Sequence, residues 1–153
     1  GKRKHTISEF FYRTQHIQQL GGYQIYPAGY YADDASILLF CNNNGIASTE
    51  ESLIVYRKSE NNISSSSCWN VEKSKAALKY YQWIIDEFPM KQQDEQIIQQ
   101  RLDFDLYTYF SAALNIHQSI QILNCIPVNI WNWKKKLLCL YKFILNSYAK
   151  QIK

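Results

Sequence analysis

Apolar residues recur at helical spacing over most of this chain, and turn residues crowd in where the beat is lost. In TISEFFYRTQHIQQL, residues 6–20, Ile7, Phe10, Phe11, Ile17 and Leu20 keep the beat. Thr6 or Ser8 would cap the helix and Gly21-Gly22 would stop it. Three short runs follow: YQIYP, ASILLFC and SLIVYR. Each is rich in β-branched or aromatic residues and is bounded by Gly, Asn, Ser or acidic turns, as strands of a small antiparallel sheet would be. ASILLFC reads equally well as a helical turn capped by Asp33 or Asp34. NNISSSS, residues 61–67, is a polar, low-complexity candidate hinge. It suggests a division into an N-terminal region, 1–67, and a helical domain, 68–153.

Beyond the hinge the helical signal strengthens. Asn70 can cap a helix starting at Val71, with Val71, Leu78, Tyr81, Ile85 and Phe88 as its stripe and Pro89 just past its end. A second helix is predicted from Gln92 to Leu114. Its first turn holds Asp94 and Glu95, where the helix dipole favours acids. Ile98, Leu102, Leu106, Tyr109 and Ala113 form its inner face, and Asn115 ends it. A short helix over His117–Asn124 carries Ile120 and Leu123 on one side. The chain then bends at Asn124-Cys125-Ile126. Pro127 suits the first turn of a last helix, predicted from Val128 to about Ala149. Ile130, Trp133, Leu137, Tyr141, Ile144 and Tyr148 form its apolar stripe. Trp131 lies about 200° away from Trp133, so one tryptophan should be inside and the other outside. The stripe places Trp133 inside. LLCLYKFIL, apolar nearly all round, implies burial within the fold or against another chain.

Charge sharpens this picture. The net +4 hides an asymmetry: residues 1–105 hold eleven Lys or Arg against all thirteen acids, a net −2. Residues 106–153 hold six lysines and no acid. A positive pole beside a mildly acidic body suits an anionic partner. The start, GKRKH, has no apolar run behind it, so no secretory leader is expected. No run approaches the roughly 18 apolar residues of a membrane helix, and no membrane partner is expected. Cys41, Cys68, Cys125 and Cys139 form no C-x-x-C pair, which points to free thiols and no bound metal or other cofactor. The tetrapeptide YADD matches the paired-aspartate signature of polymerase palms. Only thirty residues precede it, so Asp33-Asp34 is read as a turn or cap. Without a P-loop, G-x-S-x-G or H-E-x-x-H motif, no enzymatic role is expected.

The stretch LNCIPVNIWNWKKKLL resembles the helix-turn-helix of transposase-type and homeodomain-like DNA-binding modules. Val128-x-Ile130-Trp131 is similar to the start of a homeodomain third helix, and Lys134-Lys135-Lys136 matches that helix in charge. Asn132 stands where the homeodomain has Phe, and Lys134 where it has its adenine-reading Asn. The resemblance spans about Gln92 to Lys150. It implies a C-terminal three-helix homeodomain-like bundle, which together with the N-terminal helix and few short strands read above makes a mainly α fold. The chain is also similar to the homeobox-like accessory subunits of ciliate DNA N6-adenine methyltransferase complexes. That likeness implies a nuclear, non-catalytic subunit that binds double-stranded DNA beside methyltransferase subunits. Lys134, Lys135, Lys136 and Lys142 would neutralise phosphates, and Asn129 and Asn132 would read bases. Changing the three consecutive lysines to glutamate should then abolish DNA binding and leave the melting temperature nearly unchanged. The other reading is a protein-interaction or scaffold subunit with an aromatic docking surface, whose lysines are merely solvated.

Overall fold

The computed structural model describes residues 10–41, 45–47 and 66–151. These are mainly helical and contain no strand. The helices are α1 (Thr14–Gln19), α2 (Ala32–Cys41), α3 (Asn70–Glu87), α4 (Gln92–Ser111), α5 (Ile116–Cys125) and α6 (Trp133–Gln151). SLIVYR and residues 61–65 of the predicted hinge lie outside the described residues.

The middle of the chain follows its local signals. Helix α3 stops two residues before Pro89, and α4 starts at Gln92 with Asp94 and Glu95 in its first turn. Leu102, Leu106 and Tyr109 face the core as expected, joined by Phe110. Helix α3 is central, packing on α4, on α5 and on the short 3-10 turn Pro27–Gly29. Its buried face is Ala76, Ala77, Tyr80, Tyr81 and Ile84, while Val71, Leu78 and Ile85 are only half-buried. Asn70 does not cap its own helix. Its side-chain amide donates to the carbonyls of Tyr109 (3.0 Å) and Ala112 (3.1 Å), satisfying the open end of α4. Asn115 caps α5, accepting from the Gln118 N–H at 2.9 Å.

The N-terminal expectations change more. Helix α1 begins only at Thr14; residues 10–13 are not helical, and Phe11 is exposed. YQIYP is irregular backbone leading into the 3-10 turn, and ASILLFC lies within α2, whose first turn holds Asp33 and Asp34. Runs of aromatic and branched residues need neighbouring strands to become a sheet, and here they meet helix faces instead.

Those aromatics attach residues 23–41 to the helical body. Tyr31 stacks on Tyr80 (4.8 Å between ring centres) and meets Tyr30 and Tyr81 edge-on. Its hydroxyl donates to Asp105 Oδ2 at 2.8 Å and lies 2.9 Å from the Tyr109 hydroxyl. Tyr81 donates to the same carboxylate oxygen at 2.6 Å, and Arg101 reaches the other oxygen at 3.3 Å. Tyr31 holds a left-handed backbone (φ 67°), which is strained for a bulky residue. Burial drives the phenols of Tyr31, Tyr80, Tyr81 and Tyr109 well above their ordinary ionisation range. In the unfolded chain the same phenols ionise near pH 10. Their contribution to stability is therefore complete below about pH 10 and is lost as pH rises beyond it, since the unfolded state alone sheds these protons. Thermal melts should be flat toward about pH 9 and fall steeply above about pH 10. A melting temperature unchanged to about pH 11 would contradict this account.

Candidate interaction face on the C-terminal helix

The approach to α6 departs from the sequence-based expectation, and the departure decides what the helix shows to solvent. After α5 the backbone is extended at Ile126. The Pro127 carbonyl then accepts from the N–H groups of Ile130 (3.1 Å) and Trp131 (3.0 Å), so Pro127 opens a turn and not the helix. Helix α6 starts five residues after Val128, at Trp133. Asn132 supplies its cap by accepting from the Lys135 N–H at 2.9 Å.

The two tryptophans exchange their expected places. Trp131, in the turn, is 0% exposed, packs edge-on against Phe110 and donates its indole N–H to Asp103 Oδ1. Trp133 is 65% exposed. The face of α6 turned inward holds Lys136, Cys139, Leu140 and Phe143, roughly 100° round the helix from the predicted stripe. This inward face includes a lysine. Lys136 is 7% exposed, and its ammonium donates to the carbonyls of Leu123 (2.7 Å) and Ile126 (2.5 Å). Those carbonyls belong to the last turn of α5 and the residue after it, where acceptors lack helical partners and a cation meets the negative end of the dipole. Lys135 is half-buried, paired with Asp103 and placed over the Trp131 ring at 4.7 Å.

The six residues expected to meet DNA are therefore dispersed. Asn129, Lys134 and Lys142 are exposed. Asn132 is exposed but holds the helix cap. Lys135 is engaged by Asp103, and Lys136 is sequestered as an internal cap. A continuous basic triplet on the surface does not form.

An apolar face occupies the outside of α6 instead. Trp133, Leu137, Tyr141 and Ile144 follow one another at spacings of four, four and three, with Leu138 and Leu145 beside them, and all six are exposed. The stripe was legible in the sequence; its direction was not. Lys134 lies one turn ahead of Leu137 and Leu138, and the Lys136 ammonium sits 5.3 Å from the centre of the Trp133 ring.

Elsewhere the chemistry is sparse. An open cleft of about 620 Å³ between α3 and α5 is lined in part by Cys68, Glu72, Lys75, His117, Gln121 and Cys125. Burial pushes the Cys125 thiol up to about 11, and its S–H donates to the Ile122 carbonyl at 3.0 Å. At neutral pH it is a thiol and a poor nucleophile. Among the described residues no group of His, Cys, Asp or Glu is placed to hold a metal ion, and no helix is long and apolar enough to cross a membrane. Comparison with protein-family models, with curated proteins and with solved structures finds no match for this chain.

Proposed function

We propose that this chain is an interaction subunit that docks on a larger protein through the outward face of α6. The observation that carries this reading is the exposed run Trp133, Leu137, Tyr141 and Ile144 on one side of a helix whose other side is packed into the core. Contiguous apolar surface of this kind is costly to leave in water and marks association sites. Tryptophan and tyrosine are also the residue types that dominate binding energy at protein interfaces. Purified from cells that express it, the chain should elute as a stoichiometric complex with its partner. Leu137→Ser combined with Tyr141→Ser should release it as the free 18.1 kDa chain with its melting temperature kept. Both side chains are exposed, so little packing is lost. Elution of the wild-type chain alone would count against the reading.

Duplex-DNA binding is the second reading, and a specific observation favours it. Residues 106–153 carry six lysines and no acid, and Asn129, Lys134 and Lys142 are exposed within them. On that reading α4, α5 and α6 act as a homeodomain-like bundle, and the chain is the non-catalytic DNA-binding subunit of a nuclear methyltransferase complex. A groove-facing helix needs donors for phosphates and base edges, whereas the outward face of α6 offers Trp133, Leu137 and Tyr141. A gel shift with the isolated chain at two salt concentrations separates the readings. Strong, salt-sensitive retention lost in Lys134→Glu/Lys142→Glu supports DNA binding, and no retention supports docking alone.

A further inference from the structure

We propose that the outward face of α6 receives an acidic amphipathic helix of another protein, seated with its carboxylates toward the Trp133–Lys134 end. This rests on the docking reading above and adds the form and sign of the partner.

The form follows from the stripe. Trp133 to Ile144 spans three turns, about 16 Å of helix, with apolar side chains at spacings of three and four. Such a row is a ridge that fits the groove of a second helix.

The sign follows from the charges around the stripe. The first turn of α6 holds Lys134, Lys135 and Lys136 and no acid, at the end of the helix where the dipole is already positive. Lys135 has Asp103 and Lys136 has two carbonyls. Lys134 adds its charge to the same end from an exposed position beside the stripe. Carboxylates arriving there would meet the lysine and the helix terminus together.

The same charges disfavour the other occupants. A second copy seated face to face would bring Lys134 and Lys142 against another acid-free helix. A bilayer would gain only about 1 kcal/mol from each of two lysines. It would also draw Lys134 toward the apolar layer with its neighbours Leu137 and Leu138.

The test is selection from a displayed library of helices about 18 residues long. Their apolar positions are fixed as Leu or Ile, and their flanks are varied among Asp/Glu, Lys/Arg and Ser/Gln. Acidic flanks should be enriched about tenfold over basic ones on the wild-type chain. The enrichment should vanish on Leu137→Ser/Tyr141→Ser, and Lys134→Glu should shift the preference toward basic flanks. Circular dichroism and melting would verify that each variant is folded.

Equal enrichment of acidic, neutral and basic flanks overturns the sign while leaving the docking reading standing. Failure to enrich any helix overturns the proposal. Two further results overturn it by naming another occupant. One is a dimer in sedimentation that Leu137→Ser/Tyr141→Ser dissolves. The other is binding to phosphatidylcholine–phosphatidylserine vesicles that the same variant loses.

Discussion

Asp105→Ala should lower the free energy of unfolding by about 4 kcal/mol. The Asp105 side chain is almost wholly buried, and one of its oxygens accepts from both Tyr31 and Tyr81. Removing it orphans two phenol donors in the core, each costing about 1–3 kcal/mol. Tyr31 keeps its contact with the Tyr109 hydroxyl, which moderates its share. Arg101 adds little, because its side chain is largely in solvent and its ion pair is screened. A further cost arises from the backbone: Tyr31 sits at φ 67°, and its hydroxyl bonds help to hold that strained turn ahead of α2. Asp105→Asn should cost roughly half as much, since one oxygen still accepts while the new amide donors face other donors. Urea denaturation of both variants measures the difference. A loss below about 1 kcal/mol for the alanine variant would mean that the tyrosine network is not what fastens residues 23–41 to α3 and α4.

Lys136→Glu should destabilise the chain by about 3–5 kcal/mol, because it places a buried carboxylate against the Leu123 and Ile126 carbonyls in place of their donor. Lys136→Met keeps an apolar stem of similar length and should cost only about 1–2 kcal/mol, the value of the lost carbonyl bonds. Chemical denaturation of the two variants would separate charge burial from loss of packing, and equal small effects would place Lys136 in solvent. This overturns the expectation that glutamates at 134, 135 and 136 leave the melting temperature untouched. The triple change would break the α5–α6 junction, so loss of DNA retention in it would say nothing about phosphate contacts. Lys134→Glu with Lys142→Glu changes exposed positions only and should shift stability by no more than about 0.5 kcal/mol.

Sequence and structure agree where the signal is local. Pro89 ends α3, Gln92 opens α4, and Leu102, Leu106 and Tyr109 lie inside because a proline, a first-turn acid and a helical beat act within a few residues. Asp33 and Asp34 likewise lie in the first turn of α2, where the helix dipole favours acids. The agreement fails where one pattern allows two outcomes. Among the described residues YQIYP carries strand-forming residue types without a strand beside it, and its Tyr26 packs against Tyr80 of α3. Asn70 and Asn115 are good caps by type, but only the positions of neighbouring carbonyls decide which helix end each one serves.

At the carboxyl-terminal end the sequence alone determined that a bend precedes a long helix with an apolar stripe and an acid-free, basic character. Periodicity and composition are properties of the chain itself. Which side of that helix meets the core was decided by tertiary structure. Asp103 on α4 holds Trp131 and Lys135, and the open carbonyls at the end of α5 draw in Lys136. Those partners lie 10 to 32 residues away along the chain. A helix with apolar residues on more than one side carries no internal record of which side such distant groups will claim.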